Sequence, residues 1–273
     1  MPGSTEANVT RIRFVPEHAA EERNIPRRFT QPKAMAAVEE PVEVGACPSE
    51  NSWPEPIDDL YVIRSKSPLP AALSRIAECW LDAPEHPDAP QAVVIKLESC
   101  ILRWRPGRAV LEGADATSAS LLAGLIDFCF FEGELRRLEQ DLLPLEAAAS
   151  EDVALAYRIR GIADWEQLGE TMEKLSRLRL TYARTEPCLA EASRALTPDA
   201  RRIVARLIVR SGVPARLAAF SNRLEVCEDL YEGAVDRIAD FRGYRKGEVL
   251  EIIIIVLLLM ETIVMIAALF HRP

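Results

Sequence analysis

The chain is poor in the residues that build metal and nucleophile sites. It has only three histidines, His18, His86 and His271, which fall in a tail, a Pro-rich loop and a terminus. Its six cysteines, Cys47, Cys79, Cys100, Cys129, Cys188 and Cys227, lie far apart, with no C-x-x-C pair among them. That spacing excludes a zinc cluster and reads as reduced, mostly buried thiols in a cytosol-like compartment. His86 follows Cys79, but the intervening Asp82-Ala83-Pro84-Glu85 reads as a helix ending in a turn and offers no third group to orient a Cys/His dyad. The chain also lacks a G-x-G-x-x-G loop, a Walker-type phosphate loop, a G-x-S-x-G elbow and an H-E-x-x-H helix. The expectation is a protein without cofactor or metal and without catalytic residues.

Positive charge is not in excess either. Lys and Arg number 33 against 42 Asp and Glu, a formal charge of −9. A nucleic-acid surface needs clustered cations to displace phosphate counterions, so no nucleic-acid partner is expected. The N-terminus lacks the apolar core of a secretory signal. Glu17, Glu21 and Glu22 interrupt the arginines of residues 11–28, which argues against an organelle transit peptide.

What is present begins with a proline-rich stretch. Residues 1–56 hold eight of the nineteen prolines and scattered charge, with no sustained apolar period, and are expected to be a disordered tail. Residues 57–115 read as a small α+β module. Leu60-Tyr61-Val62-Ile63 suggests a strand, and Ala71 to Leu81 a helix. Gln91 to Leu97 reads as a further strand. Cys100 to Glu112 reads as a hairpin turning at Pro106-Gly107. Residues 116–213 are helical: Leu121 to Leu143 carries apolar residues at three-and-four spacing and ends near Pro144. Trp165 to Tyr182 forms a second amphipathic stripe, and Pro198 opens a helix running to Arg210.

The strongest periodic signal occupies residues 214–248. Leu217, Leu224, Tyr231 and Ile238 recur every seven residues, with Phe220, Cys227, Ala234 and Phe241 three residues after each. This is a complete a/d seam, predicting a coiled-coil or bundle helix that packs on the chain's own earlier helices or on a second copy. Residues 249–270 continue it as an expected transmembrane helix. Between Ile252 and Phe270 the only ionisable residue is Glu261, and nineteen residues at about 1.5 Å each reach roughly across a hydrocarbon core. Arg242, Arg245 and Lys246 flank one end against Arg272 at the other. That asymmetry predicts a single-pass, tail-anchored protein with its N-terminal bulk cytoplasmic, in a bacterial inner membrane, or a mitochondrial one if eukaryotic. Glu251 is expected at the interface. Glu261, with Thr262, is expected to hydrogen-bond across helices as an oligomer contact.

The stretch Asn222-Arg-Leu-Glu-Val-Cys-Glu-Asp-Leu, then Tyr244-Arg-Lys-Gly-Glu and Leu250-Glu-Ile-Ile-Ile-Ile-Val-Leu-Leu-Leu-Met-Glu261, resembles the C-terminal signature of the required-for-meiotic-nuclear-division (Rmd/YagE-type) family. Phe131-Glu-Gly-Glu-Leu-Arg-Arg-Leu-Glu and Met172-Glu-Lys-Leu-Ser-Arg-Leu-Arg resemble its earlier helices. The resemblance covers Leu121 to Leu269. It implies a non-enzymatic membrane-anchored scaffold or tether, whose mitochondrial members sit in the inner membrane and support organellar translation. The expected partners are then the lipid bilayer, further copies of the chain and an unidentified cytoplasmic protein. The alternative expectation is a small-molecule sensor or enzyme in the α+β module.

Overall fold

The computed structural model describes residues 8–20, 24–42, 59–69, 71, 74–75, 77, 81, 92–98, 100–114, 118–152 and 162–270; the side chains of 152, 162–167, 237–249 and 264–270 lie outside the description. Seven strands are described: β1 Asn8–Pro16, β2 Arg27–Phe29, β3 Met35–Val42, β4 Asp59–Ser65, β5 Val93–Lys96, β6 Cys100–Arg105 and β7 Arg108–Gly113. Four long helices follow: α1 Ala119–Asp152, α2 Ile162–Ala190, α3 Pro198–Arg210 and α4 Val213–Phe270. The chain divides into two compact units, one of Met1–Leu143 with Ser176–Asn222, the other of Pro144–Leu175 with Arg223–Pro273.

The first unit is built on one mixed sheet in the order β2-β3-β1-β4-β7-β6-β5. Neighbouring strands are antiparallel except β4 and β7, which pair in parallel with Ile63 opposite Val110. This corrects the expected architecture of a disordered tail and a small module. Residues assigned to the tail supply β1, β2 and β3, and β1 lies inside the sheet between β3 and β4. The physical reason is cross-strand charge pairing. Along β1, Thr10, Ile12 and Phe14 alternate into the core. Arg11 and Arg13 between them meet Asp59 and Glu40 on the neighbouring strands, and Arg64 meets Glu39 at 2.6 Å. Charges that read as those of a solvated tail are instead the paired outer face of a half-buried strand.

The strand expected at Leu60–Ile63 is β4, and the expected hairpin is β6–β7, with Gly107 at φ 75° in its turn. A positive φ there suits glycine, which has no Cβ to clash. The helix expected over Ala71–Leu81 falls mostly outside the described residues. Pro144 does not end α1, which continues to Asp152, and Pro187 likewise lies inside α2. Each proline forfeits one backbone hydrogen bond, and packing of the surrounding turns carries the helix past it.

Aromatic stacking joins sheet to helix. Phe29 of β2 stacks on Phe130 of α1 at 3.9 Å between ring centroids, Phe14 of β1 meets Phe130 at 5.6 Å, and Trp104 of β6 meets Phe128 edge-on. The Trp104 indole N–H donates to Cys129 Sγ at 3.2 Å, so a fully buried ring keeps its polar group satisfied. Gly124 sets the approach of α3, because a Cβ there would lie 2.9 Å from a Val204 methyl carbon. Gly212, at φ 70°, forms the break between α3 and α4.

The expected C-terminal membrane span is not seen. Among the described residues no helix is long and apolar enough to cross a membrane. Glu251 and Glu261, both exposed, stand at the start of the apolar stretch and within it, where a carboxylate is costly in a hydrocarbon core. The membrane, transmembrane and tail-anchored readings fall with it, as does the single-pass location in an inner membrane.

Candidate functional site

The a/d seam is where sequence and structure meet most closely. Leu217, Phe220, Leu224, Cys227, Tyr231 and Ala234 are all buried by the chain itself. The side chains of Ile238 and Phe241 lie outside the described residues, as do those of Arg242, Arg245 and Lys246. In the first unit Tyr182 of α2 stacks on Phe220 at 5.1 Å and donates its hydroxyl to the Leu217 carbonyl at 3.3 Å. Six seam positions are therefore consumed within one chain.

Beside the seam runs a set of ion pairs that periodicity alone did not reveal. Arg216 of α4 donates to both carboxylate oxygens of Glu139, at 2.9 and 2.6 Å, and to Glu132 at 2.7 Å. Glu132 is 2% exposed, so its charge depends on these donors. Burial works against the Arg216 charge, but the bonds and charges of Glu139 and Glu132 outweigh it and push the guanidinium pKa up. In the second unit Arg223 clamps both oxygens of Glu146. Arg216 and Arg223 are seven residues apart, as are Glu139 and Glu146, in the same chain order. The spacing was legible; which charges would meet was not.

Beyond the seam, α4 changes character. From Leu250 to Ile263 every described side chain is exposed, with Ile252 at 60%, Leu257 at 62% and Ile263 at 62%. Glu251 and Glu261 lie within this apolar segment and are exposed as well. Thr262 donates its hydroxyl to the Leu258 carbonyl at 2.7 Å, one turn back in its own helix, and keeps its oxygen free to accept. Among the described residues nothing covers this segment.

A second feature is a cavity of about 420 Å³ within the first unit, at β2, α1, α2 and α3. Its polar wall is the pair Arg27 and Asp127, joined by two bonds of 2.6 and 2.7 Å, and its apolar wall includes Phe29, Phe131 and Leu196. Burial pushes the Asp127 carboxyl pKa up, and Arg27 offsets only part of that rise. Cys188 lines the same cavity, but burial and then the Asp127 charge push its thiol pKa up. Burial likewise raises Cys129 and Cys227. A thiol held protonated is a poor nucleophile, so this geometry favours binding over covalent chemistry. Arg27 and Asp127 stand a hundred residues apart, which no local pattern could pair. Among the described residues no group of three or more His, Cys, Asp or Glu is arranged to hold a metal ion.

No family model matches this chain, and no curated protein matches it.

Proposed function

We propose that this protein is a scaffold that assembles with further copies of itself through the apolar end of α4 and recruits other proteins on its folded units. One observation carries the reading: the seam is closed within the chain up to Ala234, whereas Leu250 to Ile263 exposes large apolar side chains on every face. Exposed apolar surface of that extent marks an interaction site. Burying it would contribute about 1 kcal/mol or more per side chain, enough in sum to offset the several kcal/mol lost on association. A second copy is the favoured occupant because a helix apolar on all faces suits a bundle of identical helices, in which Glu261 and Thr262 can bond between copies. The resemblance of residues 121–269 to the Rmd/YagE-type family supports the same scaffolding role.

Light scattering on the full chain tests this. A defined oligomer is expected, with Ile254→Glu and Leu258→Glu together giving a monomer of unchanged helical signal. A wild-type chain that stays monomeric across the concentration range sinks the proposal. If Glu261→Leu leaves the oligomer size unchanged, the carboxylate is not part of the contact.

The cavity beside Arg27 and Asp127 favours a second reading, a small-molecule binding site, since 420 Å³ falls within the usual range for ligand pockets. A metabolite screen by thermal shift would support it through a ligand whose stabilisation is lost in Phe131→Trp, which fills the space.

A further inference from the structure

A basic groove lies at the opposite edge of the sheet from β2. It is lined by Val94, Ile95 and Lys96 of edge strand β5 and, on α3, by Arg202, Ala205, Arg206, Val209 and Arg210, around a volume of about 820 Å³. Arg202, Arg206 and Arg210 recur every fourth residue, so they stand in one row along the helix, about 12 Å long. Arg206 donates to the Lys96 carbonyl at 3.2 Å and Arg210 to the Val94 carbonyl at 2.6 Å. These bonds occupy the free edge of β5, which makes strand addition there unfavourable. The guanidinium groups are left with donors to spare, since each carries five. Among the described residues the row makes one ion pair, Arg202 with Asp199 at 3.7 Å, and both groups are largely exposed. In a chain of formal charge −9, four cations gathered with so little counter-charge mark a seat for an anionic partner.

The chain itself carries a matching surface. On α4, Glu225, Asp229, Glu232 and Asp236 recur at intervals of four, three and four, one acidic stripe about 16 Å long. All four are exposed, and no cation among the described residues pairs with them. Val226 beside the stripe and Val209 within the basic groove are each 69% exposed. Each surface therefore presents a charged row of similar length with an aliphatic residue next to it. The chain already joins helices in this manner, where Arg216 and Arg223 meet Glu139 and Glu146 at matching seven-residue spacing. A nucleic acid fits less well, because the groove is lined by aliphatic side chains and offers no ring for a base to stack on.

We infer that the α3 row of one copy, Arg202, Arg206 and Arg210 with Lys96, docks on the α4 stripe of a second copy, Glu225, Asp229, Glu232 and Asp236. Exposed ion pairs supply little affinity by themselves, so the contact rests on the self-association proposed above, which brings the copies to high effective concentration. Its role is to fix the register between copies, since charge complementarity sets orientation more than strength.

Zero-length carbodiimide cross-linking of an equal mixture of ¹⁴N- and ¹⁵N-labelled full-length chains, read by mass spectrometry, tests it. Lys96 supplies the amine and the stripe supplies the carboxylates. The expected result is a mixed-isotope cross-link from Lys96 to Glu225, Asp229, Glu232 or Asp236, falling at least tenfold between 50 and 500 mM salt, as exposed pairs are screened. Arg202→Glu, which touches no backbone group of the sheet, should lower the yield several-fold, and Asp229→Arg in the other copy should restore it. An oligomer by light scattering that gives no mixed-isotope cross-link overturns this inference and leaves the scaffold reading standing. A monomer at every concentration overturns both. A groove that instead retains a fluorescent oligonucleotide or poly-glutamate, with no cross-link between copies, overturns the second copy as its occupant.

Discussion

Arg216 holds Glu139 by both carboxylate oxygens while its third donor group reaches Glu132, a side chain 2% exposed. Replacing Arg216 by Met leaves a buried carboxylate with one less guanidinium to hold it, because Arg136 is then its remaining cation. The expected loss is about 3 kcal/mol, the usual range for breaking a buried pair from one side. Arg216→Lys should recover only part of it, since an ammonium cannot make the two-pronged contact. Urea unfolding of the three proteins measures both numbers.

The elements legible in the sequence were those whose signal is local. Leu60–Ile63, the Pro106-Gly107 hairpin and the Pro198 helix start each depend on residues within a few positions of one another. The seam from Leu217 to Ala234 was legible because one helix repeats its own pattern. The first three strands were not legible. Arg11, Arg13 and Glu39 look like a solvated tail until Asp59, Glu40 and Arg64 are set beside them, and those pairings depend on the sheet order. The membrane reading failed on the same segment: hydropathy over Ile252–Phe270 treats Glu261 as a tolerated interruption, whereas among the described residues no helix is long and apolar enough to cross a membrane. The cavity was least legible of all, since Arg27, Asp127 and Cys188 come from three elements far apart in the chain.

Asp127 should make stability fall as pH rises. Burial raises its carboxyl pKa above the ordinary value near 3.8 despite Arg27, so the folded chain binds this proton more readily than the unfolded one. Its contribution is greatest below the unfolded value and is lost as pH rises through the higher folded value. Asp127→Asn lacks this loss. The melting temperature of the variant relative to wild type should therefore increase from pH 3.5 to pH 7, and thermal melts at the two pH values decide it. A difference that stays constant or decreases contradicts the burial argument.

Gly124→Ala should destabilise the first unit. The added Cβ would stand 2.9 Å from the Val204 methyl carbon and 3.1 Å from a Leu196 methyl carbon. An alanine in a helix interior ordinarily gains up to about 1 kcal/mol over glycine, but overpacking costs about 1–3 kcal/mol. The steric cost should win, lowering the melting temperature. Combining it with Val204→Ala removes the clashing methyl groups, so the double variant should lose less than the sum of the two single changes.

Cys188 is the exposed thiol among the free cysteines described, whereas Cys100, Cys129 and Cys227 are buried. Exposure alone would make it the reactive one. Burial of part of its surroundings and the Asp127 carboxylate nevertheless hold its thiol pKa above the ordinary value, which reduces the thiolate fraction at neutral pH. Iodoacetamide should therefore modify Cys188 ahead of the buried three, yet more slowly than it modifies a free cysteine peptide at pH 7.5. Removing the nearby charge in Asp127→Asn should speed the reaction, because the thiolate then forms without a neighbouring carboxylate. Peptide mapping after timed alkylation separates the two effects: Cys188 reacting at the free-peptide rate in wild type would contradict the raised pKa. An unchanged rate in Asp127→Asn would show that burial alone slows it.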